Sequence, residues 1–349
     1  MVIVMKPDAA ESDIQHASDR LVELGFQVHR VDGVRQTILG AIGDKRGVER
    51  SPLATMPGVR EVVEITKPYK LASREFKDED TTIRLNGCEI GGRELVNMAG
   101  PCSVEDEAQI HRLAAVSAAH GAKVLRGGAF KPRTSPYSFQ GLGEQGLKWM
   151  REAADAHGLL MVTEVMDPTQ TELVASYADI LQIGARSMQN YHLLRSVGQV
   201  DRPVLLKRGL AAKLEEFLMA AEYVMSEGNH RVVLCERGVR TFLDHMRFTL
   251  DIGAIPVVKE RSHLPIIVDP SHAAGVRDHV TPLALSAIAA GADGLIVEIH
   301  DAPETAVSDG NQALTPEMYA QLMREVAGVA QAIGRTMGQS DESPMPVRL

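Results

Sequence analysis

The sequence has few cysteines and no excess of positive charge. Three cysteines in 349 residues cannot form a disulfide framework, which excludes a small disulfide-stabilised secreted domain. A net charge of −9 argues against a nucleic-acid-binding surface. The chain has no apolar run near the roughly 20 residues that a membrane span requires. Its first 13 residues also lack the basic and apolar regions of a secretion signal, so a cytoplasmic enzyme is expected.

The composition that remains is that of an ordinary globular protein, with 44% hydrophobic and 24% charged residues. The length corresponds to about two domains of roughly 150 residues, although a single α/β barrel fills about 250 residues.

The first 66 residues predict a ferredoxin-like βαββαβ domain. Apolar spacing and turn residues place its strands and helices at 2–5, 11–24, 26–31, 37–42, 48–55 and 59–65. Residues 67–92 are interpreted as a polar linker followed by a hairpin that turns at Asn86-Gly87. The last segment, 338–349, is polar and predicts a disordered tail.

Between these segments, residues 93–337 alternate short apolar runs with helical stretches. Eight such runs in this length favour a (β/α)8 TIM barrel, and a doubly wound open sheet is the alternative. The predicted strands are 95–99, 123–125, 159–163, 179–183, 203–206, 231–234, 265–268 and 294–297.

Polar residues follow every predicted strand, at the barrel end where active sites of this fold lie. Arginine and lysine side chains that match phosphate and carboxylate groups indicate a phosphorylated, carboxylated substrate. Any one of these cations could be an ordinary surface charge, but six together in an acidic chain favour an anion site. The six are Arg126, Lys131, Arg133, Arg186, Lys207 and Arg237.

A metal site is predicted at the same end. Cys102, His272, Glu298 and Asp309 follow strands 1, 7 and 8, which are neighbours in a closed barrel. A thiolate, an imidazole and two carboxylates suit Mn²⁺, Fe²⁺, Co²⁺ or Zn²⁺. The spacing alone is weak, because a lone cysteine or histidine is more often structural. The remaining two cysteines, at positions 88 and 235, are interpreted as structural.

Several of these strand ends lie in motifs that resemble the 3-deoxy-D-arabino-heptulosonate 7-phosphate (DAHP) synthase family. The longest is LRGGAFKPRTSPYSFQG at 125–141. AGPCS at 99–103, QIGAR at 182–186, LLKRG at 205–209, LCERG at 234–238 and VDPSHAAG at 268–275 agree with the family in order and position. The ferredoxin-like start further resembles the type I-beta subgroup, in which such a domain is regulatory.

The resemblance implies condensation of phosphoenolpyruvate with D-erythrose 4-phosphate and water, which gives DAHP and phosphate as the first step of the shikimate pathway. It implies one divalent metal ion per subunit on Cys102, His272, Glu298 and Asp309. Lys131 is the expected acid for the nascent alkoxide, and Glu164 and Lys207 are expected to hold the attacking water. The implied binding residues are Arg126, Lys131, Ala185, Arg186, Lys207 and Arg237 for phosphoenolpyruvate, and Arg133, Thr134 and Ser135 for the sugar phosphate.

Two alternatives remain. The first is a 3-deoxy-D-manno-octulosonate 8-phosphate synthase, although residues 131–135 read KPRTS where that family resembles KANRS. The second is a non-catalytic amino-acid sensor. The family resemblance also implies a homotetramer in which the first domain binds tyrosine or phenylalanine as an inhibitor; an oligomerisation or lid element without a ligand is the alternative for this domain. His29, Asp32 and Gly33 are candidate effector contacts because they lie near its second strand.

Overall fold

The computed structural model describes residues 1–33, 36–43, 50–63, 67–131, 135 and 137–338. The chain divides into two compact units, one formed by Met1–Glu79 with Arg261–His263 and the other by the rest of the chain. The predicted disordered tail lies outside the described residues, apart from its first position.

The first unit contains a four-stranded antiparallel sheet of order β2-β3-β1-β4, as a ferredoxin-like fold requires. Its apolar face packs against the helices through a core that includes Ile3, Leu21, Leu39 and Leu53. Its elements are β1 (Val2–Met5), α1 (Glu11–Glu23), β2 (Gln27–Asp32), β3 (Thr37–Ile42), α2 (Arg50–Ala54) and β4 (Val59–Val63).

The segment after β4 is polar in composition, yet it packs into this first unit. Tyr69, Leu71 and Phe76 are buried. The close approach of Phe76 requires glycine at position 40, because a Cβ there would lie 2.6 Å from a ring carbon of Phe76. Burial of this apolar surface ties residues 69–76 to the sheet rather than leaving them as a solvated connection.

The second unit is a closed barrel of eight parallel strands. The strands are β7 (Glu94–Gly100), β8 (Val124–Arg126), β9 (Leu160–Glu164), β10 (Ile180–Ile183), β11 (Val204–Lys207), β12 (Val232–Glu236), β13 (Ile266–Val268) and β14 (Gly294–Glu298). Each strand pairs with the next, and β14 pairs with β7 from Gly294↔Val96 to Glu298↔Gly100. This pairing confirms the predicted barrel and excludes the open sheet.

Antiparallel strands β5 (Ile83–Leu85) and β6 (Cys88–Ile90) precede the barrel. They are joined at Asn86-Gly87, where both residues have the positive φ that a tight hairpin turn needs. The barrel helices are α3 (Glu107–Ala119), α4 (Glu144–Ala156), α5 (Thr171–Tyr177), α6 (Tyr191–Gly198), α7 (Leu214–Ser226), α8 (Ala254–Arg261), α9 (Pro270–Ala274), α10 (Val280–Ala289) and α11 (Pro316–Ala332); β15 (Thr336–Met337) pairs with β7.

In the described part of the chain, every helix falls short of the length and apolar character that crossing a membrane requires.

Candidate active site

The four side chains predicted to bind metal lie together at the carboxyl ends of the barrel strands. Sγ of Cys102 lies 3.4 Å from Oδ2 of Asp309, and Nε2 of His272 lies 3.5 Å from Oε1 of Glu298. Ligand atoms of Cys102, Glu298 and Asp309 all fall within 4.8 Å of one another. Cys102 follows β7 and Glu298 ends β14, so closure of the barrel brings them together.

Local backbone structure places two of these residues. Asp269 caps the short helix α9, and its Oδ1 accepts a hydrogen bond from the backbone N–H of His272 at 2.9 Å. Pro270 follows the cap at the first helical position, where its fixed φ suits the helix. Asp309 has a φ of 48°, in the left-handed region that non-glycine residues rarely adopt. Such conformations concentrate at functional sites.

Asp269 also links the side chains of Lys207 and His272 beneath the site. Its Oδ2 lies 2.5 Å from Nζ of Lys207 and 2.8 Å from Nδ1 of His272. Burial alone would raise the pKa of Asp269, but the charges of His272 and Lys207 outweigh it and hold this pKa well below its ordinary value. Asp269 is therefore a carboxylate, and it lies directly against the Nδ1 side of the His272 imidazole.

Charge also sets the protonation of Glu298. Burial acts to raise its pKa, but His272, Arg126 and Lys131 overcome this and lower it to about 2. Nη1 of Arg126 donates to Oε1 of Glu298 at 2.9 Å. Burial raises the pKa of the Cys102 thiol to about 11, and the charge of Glu298 adds to the rise. The site without metal therefore contains a carboxylate and a protonated thiol.

These donors fit a divalent transition metal. The Nδ1 atom of His272 faces a carboxylate, which is the usual outer partner of a metal-binding histidine and leaves Nε2 for the metal. Nε2 points toward Glu298, and the thiol of Cys102 supplies the soft ligand. The set does not select among Mn²⁺, Fe²⁺, Co²⁺ and Zn²⁺, because geometry and supply decide between ions of this series.

A cavity of about 110 Å³ is lined by two of the four predicted metal ligands, His272 and Asp309. Nζ of Lys131 lies 3.0 Å from Sγ of Cys102 and 2.9 Å from its carbonyl oxygen. Glu164 accepts a hydrogen bond from Gln182 at 3.3 Å. The cavity is lined by Lys131, Glu164, Ala185, Arg186, Leu210, Arg237, Arg247, Phe248, His272 and Asp309.

Four of the six predicted cations fall into two groups. Arg126 and Lys207 are buried and paired with Glu298 and Asp269. Among the described residues, Arg186 and Arg237 form no ion pair, and both line the cavity. Part of the positive charge is thus neutralised by carboxylates of the site itself, and the remainder faces the cavity. Within the same described part, Nε of Arg126 is buried without a hydrogen-bond partner.

Of the three residues expected to bind the sugar phosphate, the structure describes one. Arg133 and Thr134 lie outside the described residues. Ser135 is exposed, and its hydroxyl accepts a hydrogen bond from the backbone N–H of Tyr137. Ser135 is not among the residues that line the cavity next to the metal ligands.

The other two cysteines, Cys88 and Cys235, lie in the apolar core with residues of the barrel strands. Burial raises the pKa of Cys88 to about 11 and raises that of Cys235 further. Both are poor nucleophiles in these surroundings, as their structural interpretation requires.

The sequence interpretation missed two polar residues beside the ligands. Nη1 of Arg247 lies 3.2 Å from Oδ1 of Asp309, and Gln312 donates to Glu298 at 2.7 Å. Arg247 belongs to the long loop after β12, and Gln312 follows the last ligand. Neither residue lies at a strand end or in a capping pattern that would identify it from the sequence. Asp269 did carry a signal, because Asp-Pro three residues before His272 is a helix-start pattern.

In the first unit, Gly33 lines a separate cavity of about 250 Å³ together with Arg60. Asp32 pairs instead with Arg30 and Thr37, and His29 is buried on β2. Of the three candidate effector contacts, Gly33 alone is therefore on this cavity within the described residues.

Comparison with known proteins agrees with this geometry. The family model described as "DAHP synthetase I family" matches residues 78–333, and the one described as "DAHP synthase ferredoxin-like domain" matches residues 1–67. The phospho-2-dehydro-3-deoxyheptonate aldolase of Thermotoga maritima is 49% identical over 96% of this chain and 99% of the relative.

Two further matches are a solved structure and a more distant relative with a different name. The crystal structure of a DAHP synthase from Thermotoga maritima superposes with a TM-score of 0.77 at 48% identity, over 96% of this chain and 98% of that one. A 2-dehydro-3-deoxyphosphooctonate aldolase of Geobacter sulfurreducens is 29% identical over 71% of this chain and 97% of the relative. With both family models matched and near full-length similarity to a DAHP synthase, this chain belongs to the DAHP synthetase I family.

Proposed function

We propose that this chain condenses phosphoenolpyruvate with D-erythrose 4-phosphate and water to form DAHP and phosphate, with a divalent metal ion on Cys102, His272, Glu298 and Asp309. The observation that carries the proposal is the shared cavity, where metal-ligand side chains meet cations without carboxylate partners among the described residues. A neutral substrate would leave that charge uncompensated. A phosphorylated carboxylic acid would neutralise it.

Substrate binding follows from the unpaired cations. Arg186 and Arg237 are planar, permanently charged forks that hold phosphate or carboxylate by two hydrogen bonds each. The guanidinium of Arg237 also stacks 4.1 Å from the ring centre of Phe248, which fixes its plane. Lys131 adds a third cation at the edge nearest Cys102. These side chains gather the charges of phosphoenolpyruvate before the aldehyde arrives.

When bound, the metal supplies Lewis-acid polarisation of the aldehyde of erythrose 4-phosphate. C3 of phosphoenolpyruvate attacks that aldehyde carbon, and the aldehyde oxygen gains a proton. The ammonium of Lys131 is the proposed donor, because it lies between the ligand Cys102 and the cavity. Water then adds at C2, and phosphate leaves by C–O cleavage. Glu164 is proposed to hold that water, since it lines the same cavity.

Lys207 takes a less direct position than the sequence implied. Its ammonium is buried against Asp269 rather than on the cavity lining. We propose that it stabilises substrate charge from beneath the site, and that its contribution to holding water acts through this buried pair.

The test is phosphate release after removal of metal with a chelator and its addition back. Phosphoenolpyruvate is offered with erythrose 4-phosphate or with arabinose 5-phosphate. Metal-dependent turnover with the four-carbon sugar alone is the expected result. Turnover with the five-carbon sugar alone would instead favour the octulosonate synthase, which the similarity to the Geobacter relative keeps as a second candidate. No release with either sugar would favour the sensor.

Regulation is a separate proposal. We propose that the first unit binds tyrosine or phenylalanine. We also propose that the protein is a homotetramer, and light scattering of the protein in solution measures its mass. Removal of residues 1–79 tests this better than removal of residues 1–66. Residues 69–76 pack with the first unit, so the shorter truncation would leave their apolar side chains exposed. An active enzyme insensitive to both amino acids is expected. Inhibition unchanged by the truncation would contradict the proposal.

A further inference from the structure

Two side chains outside the predicted ligand set hold the outer edges of the ligand carboxylates. Nε2 of Gln312 donates to Oε2 of Glu298 at 2.7 Å, and Oε1 of Gln312 accepts from Nη1 of Arg247 at 2.9 Å. The same Nη1 lies 3.2 Å from Oδ1 of Asp309. One chain of hydrogen bonds therefore connects the two carboxylates.

The contacts divide each carboxylate into an inner and an outer oxygen. The inner oxygens are Oε1 of Glu298, which faces Nε2 of His272 at 3.5 Å and also accepts from Arg126 at 2.9 Å, and Oδ2 of Asp309, which faces Cys102 at 3.4 Å. The outer oxygens are those held by Gln312 and Arg247. The outer contacts thus leave the inner oxygens turned toward the other two ligands.

Arg247 is itself anchored to the short helix that carries His272. Its backbone N–H donates to the carbonyl of Ala274 at 3.1 Å. Gly275, which ends that helix with a φ of 72°, leaves the space that Arg247 occupies, since a Cβ there would lie 2.5 Å from Cβ of Arg247. The loop after β12 is thereby fixed against α9.

We propose that Gln312 and Arg247 form a positioning pair that pre-orients Glu298 and Asp309, and that this pair determines how tightly and for how long the metal is held. The inference rests on the proposed function, because it requires metal on those carboxylates. Neither residue of the pair belongs to the proposed ligand set. Loss of such an outer partner typically weakens metal binding by about 10–100-fold.

The amide of Gln312 can satisfy both contacts in one orientation only. Rotation by half a turn would set its oxygen against Oε2 of Glu298 and its NH₂ group against the Arg247 guanidinium. Gln312 is 1% exposed, so water does not compete for these bonds. A surface ion pair, in contrast, contributes little to stability and would have little effect on metal retention. The burial of Gln312 is what distinguishes the two cases.

The experiment uses the full chain, stripped of metal and titrated with Co²⁺. Thiolate-to-cobalt absorption reports coordination by Cys102, and transfer of Co²⁺ to excess chelator gives the dissociation rate. Gln312→Met keeps a similar length but removes donor and acceptor, and Arg247→Gln removes the charge at a partly exposed position. Asn311→Ala is the matched control, an exposed neighbour on the same turn.

Both test variants are expected to bind Co²⁺ about 10–100-fold more weakly and to release it faster, while Asn311→Ala behaves as wild type. Arg247→Lys, which keeps a donor and a charge, is expected to recover part of the affinity. If both test variants bind and release Co²⁺ within threefold of Asn311→Ala, the positioning role is wrong but the proposed metal site stands. Absence of the thiolate band in the wild type would overturn the metal site itself, and the positioning role with it.

Discussion

Oδ2 of Asp269 lies 2.8 Å from Nδ1 of His272, so the imidazole proposed to bind metal is held from behind by a buried carboxylate. The same oxygen lies 2.5 Å from Nζ of Lys207. The proposed metal ligand His272 and the buried Lys207 therefore share one anion.

Asp269→Asn should lower metal affinity by about 10–100-fold, because the amide keeps the helix cap but loses the charge that orients His272. Isothermal titration of the metal-free protein measures the effect. Asp167→Asn is the matched control, since Asp167 caps an exposed turn without a cationic partner among the described residues. Equal affinity in the two variants would show that the charge of Asp269 is not needed.

Metal binding at pH 7.5 should release one proton from Cys102. The pKa of its thiol is about 11 in the metal-free site, so the thiol is protonated at that pH and must become a thiolate to bind. Affinity should consequently rise as pH rises, by up to about tenfold per unit. Calorimetry in buffers of different ionisation enthalpy counts the protons. Cys102→Ser at saturating metal should release one proton fewer, and an unchanged count would contradict the assignment.

Arg237→Gln should raise KM for phosphoenolpyruvate about tenfold or more, which corresponds to about 1.4 kcal/mol of lost binding. The charged fork is buried beside Phe248 and has no ion-pair partner within the described residues, so the substrate is its natural counter-charge. Arg240→Gln is the control, an exposed cation in the same loop. A KM unchanged in Arg237→Gln would remove this residue from the binding set.

Acidification from pH 7 to pH 5 should destabilise the first unit through His29. Burial lowers the pKa of His29 in the folded chain. Below about 6.5, the ordinary value, the unfolded chain takes up a proton that the folded chain resists, so the free energy of unfolding falls. Scanning calorimetry of wild type and His29→Gln should show a smaller loss of stability in the variant. His16→Gln, at an exposed position of α1, should behave as wild type.

The barrel could be predicted from sequence because its strands are buried on both faces. The apolar pattern predicts a strand at 159–163, and the structure has β9 at Leu160–Glu164. A short, continuous apolar run bounded by polar residues is typical of a strand in a parallel sheet that is covered on both sides. The hairpin turn at Asn86-Gly87 is equally local, because two consecutive positive φ values favour this residue pair.

The pairing of charges could not be predicted in the same way. Arg126 and Glu298 form a buried pair across 172 residues of sequence, and no local pattern relates them. A family motif contains Arg126 but presents it as a free cation for substrate, and Glu298 is predicted only from its place after the last predicted strand. Gln312 and Arg247 escape prediction because their positions depend on how two long loops fold over the barrel.

Closure of the barrel brings residues that follow its first and last strands into one proposed metal site, and this affects when the site can form during protein synthesis. Cys102 leaves the ribosome 207 residues before Asp309, which at about 5–20 residues per second corresponds to roughly 10–40 s. Throughout that interval the thiol lacks at least one of the histidine and two carboxylates that complete the proposed site. Metal loading must therefore follow synthesis of the last barrel strand, and a nascent chain that stalls earlier carries an oxidant-accessible cysteine in place of a metal centre.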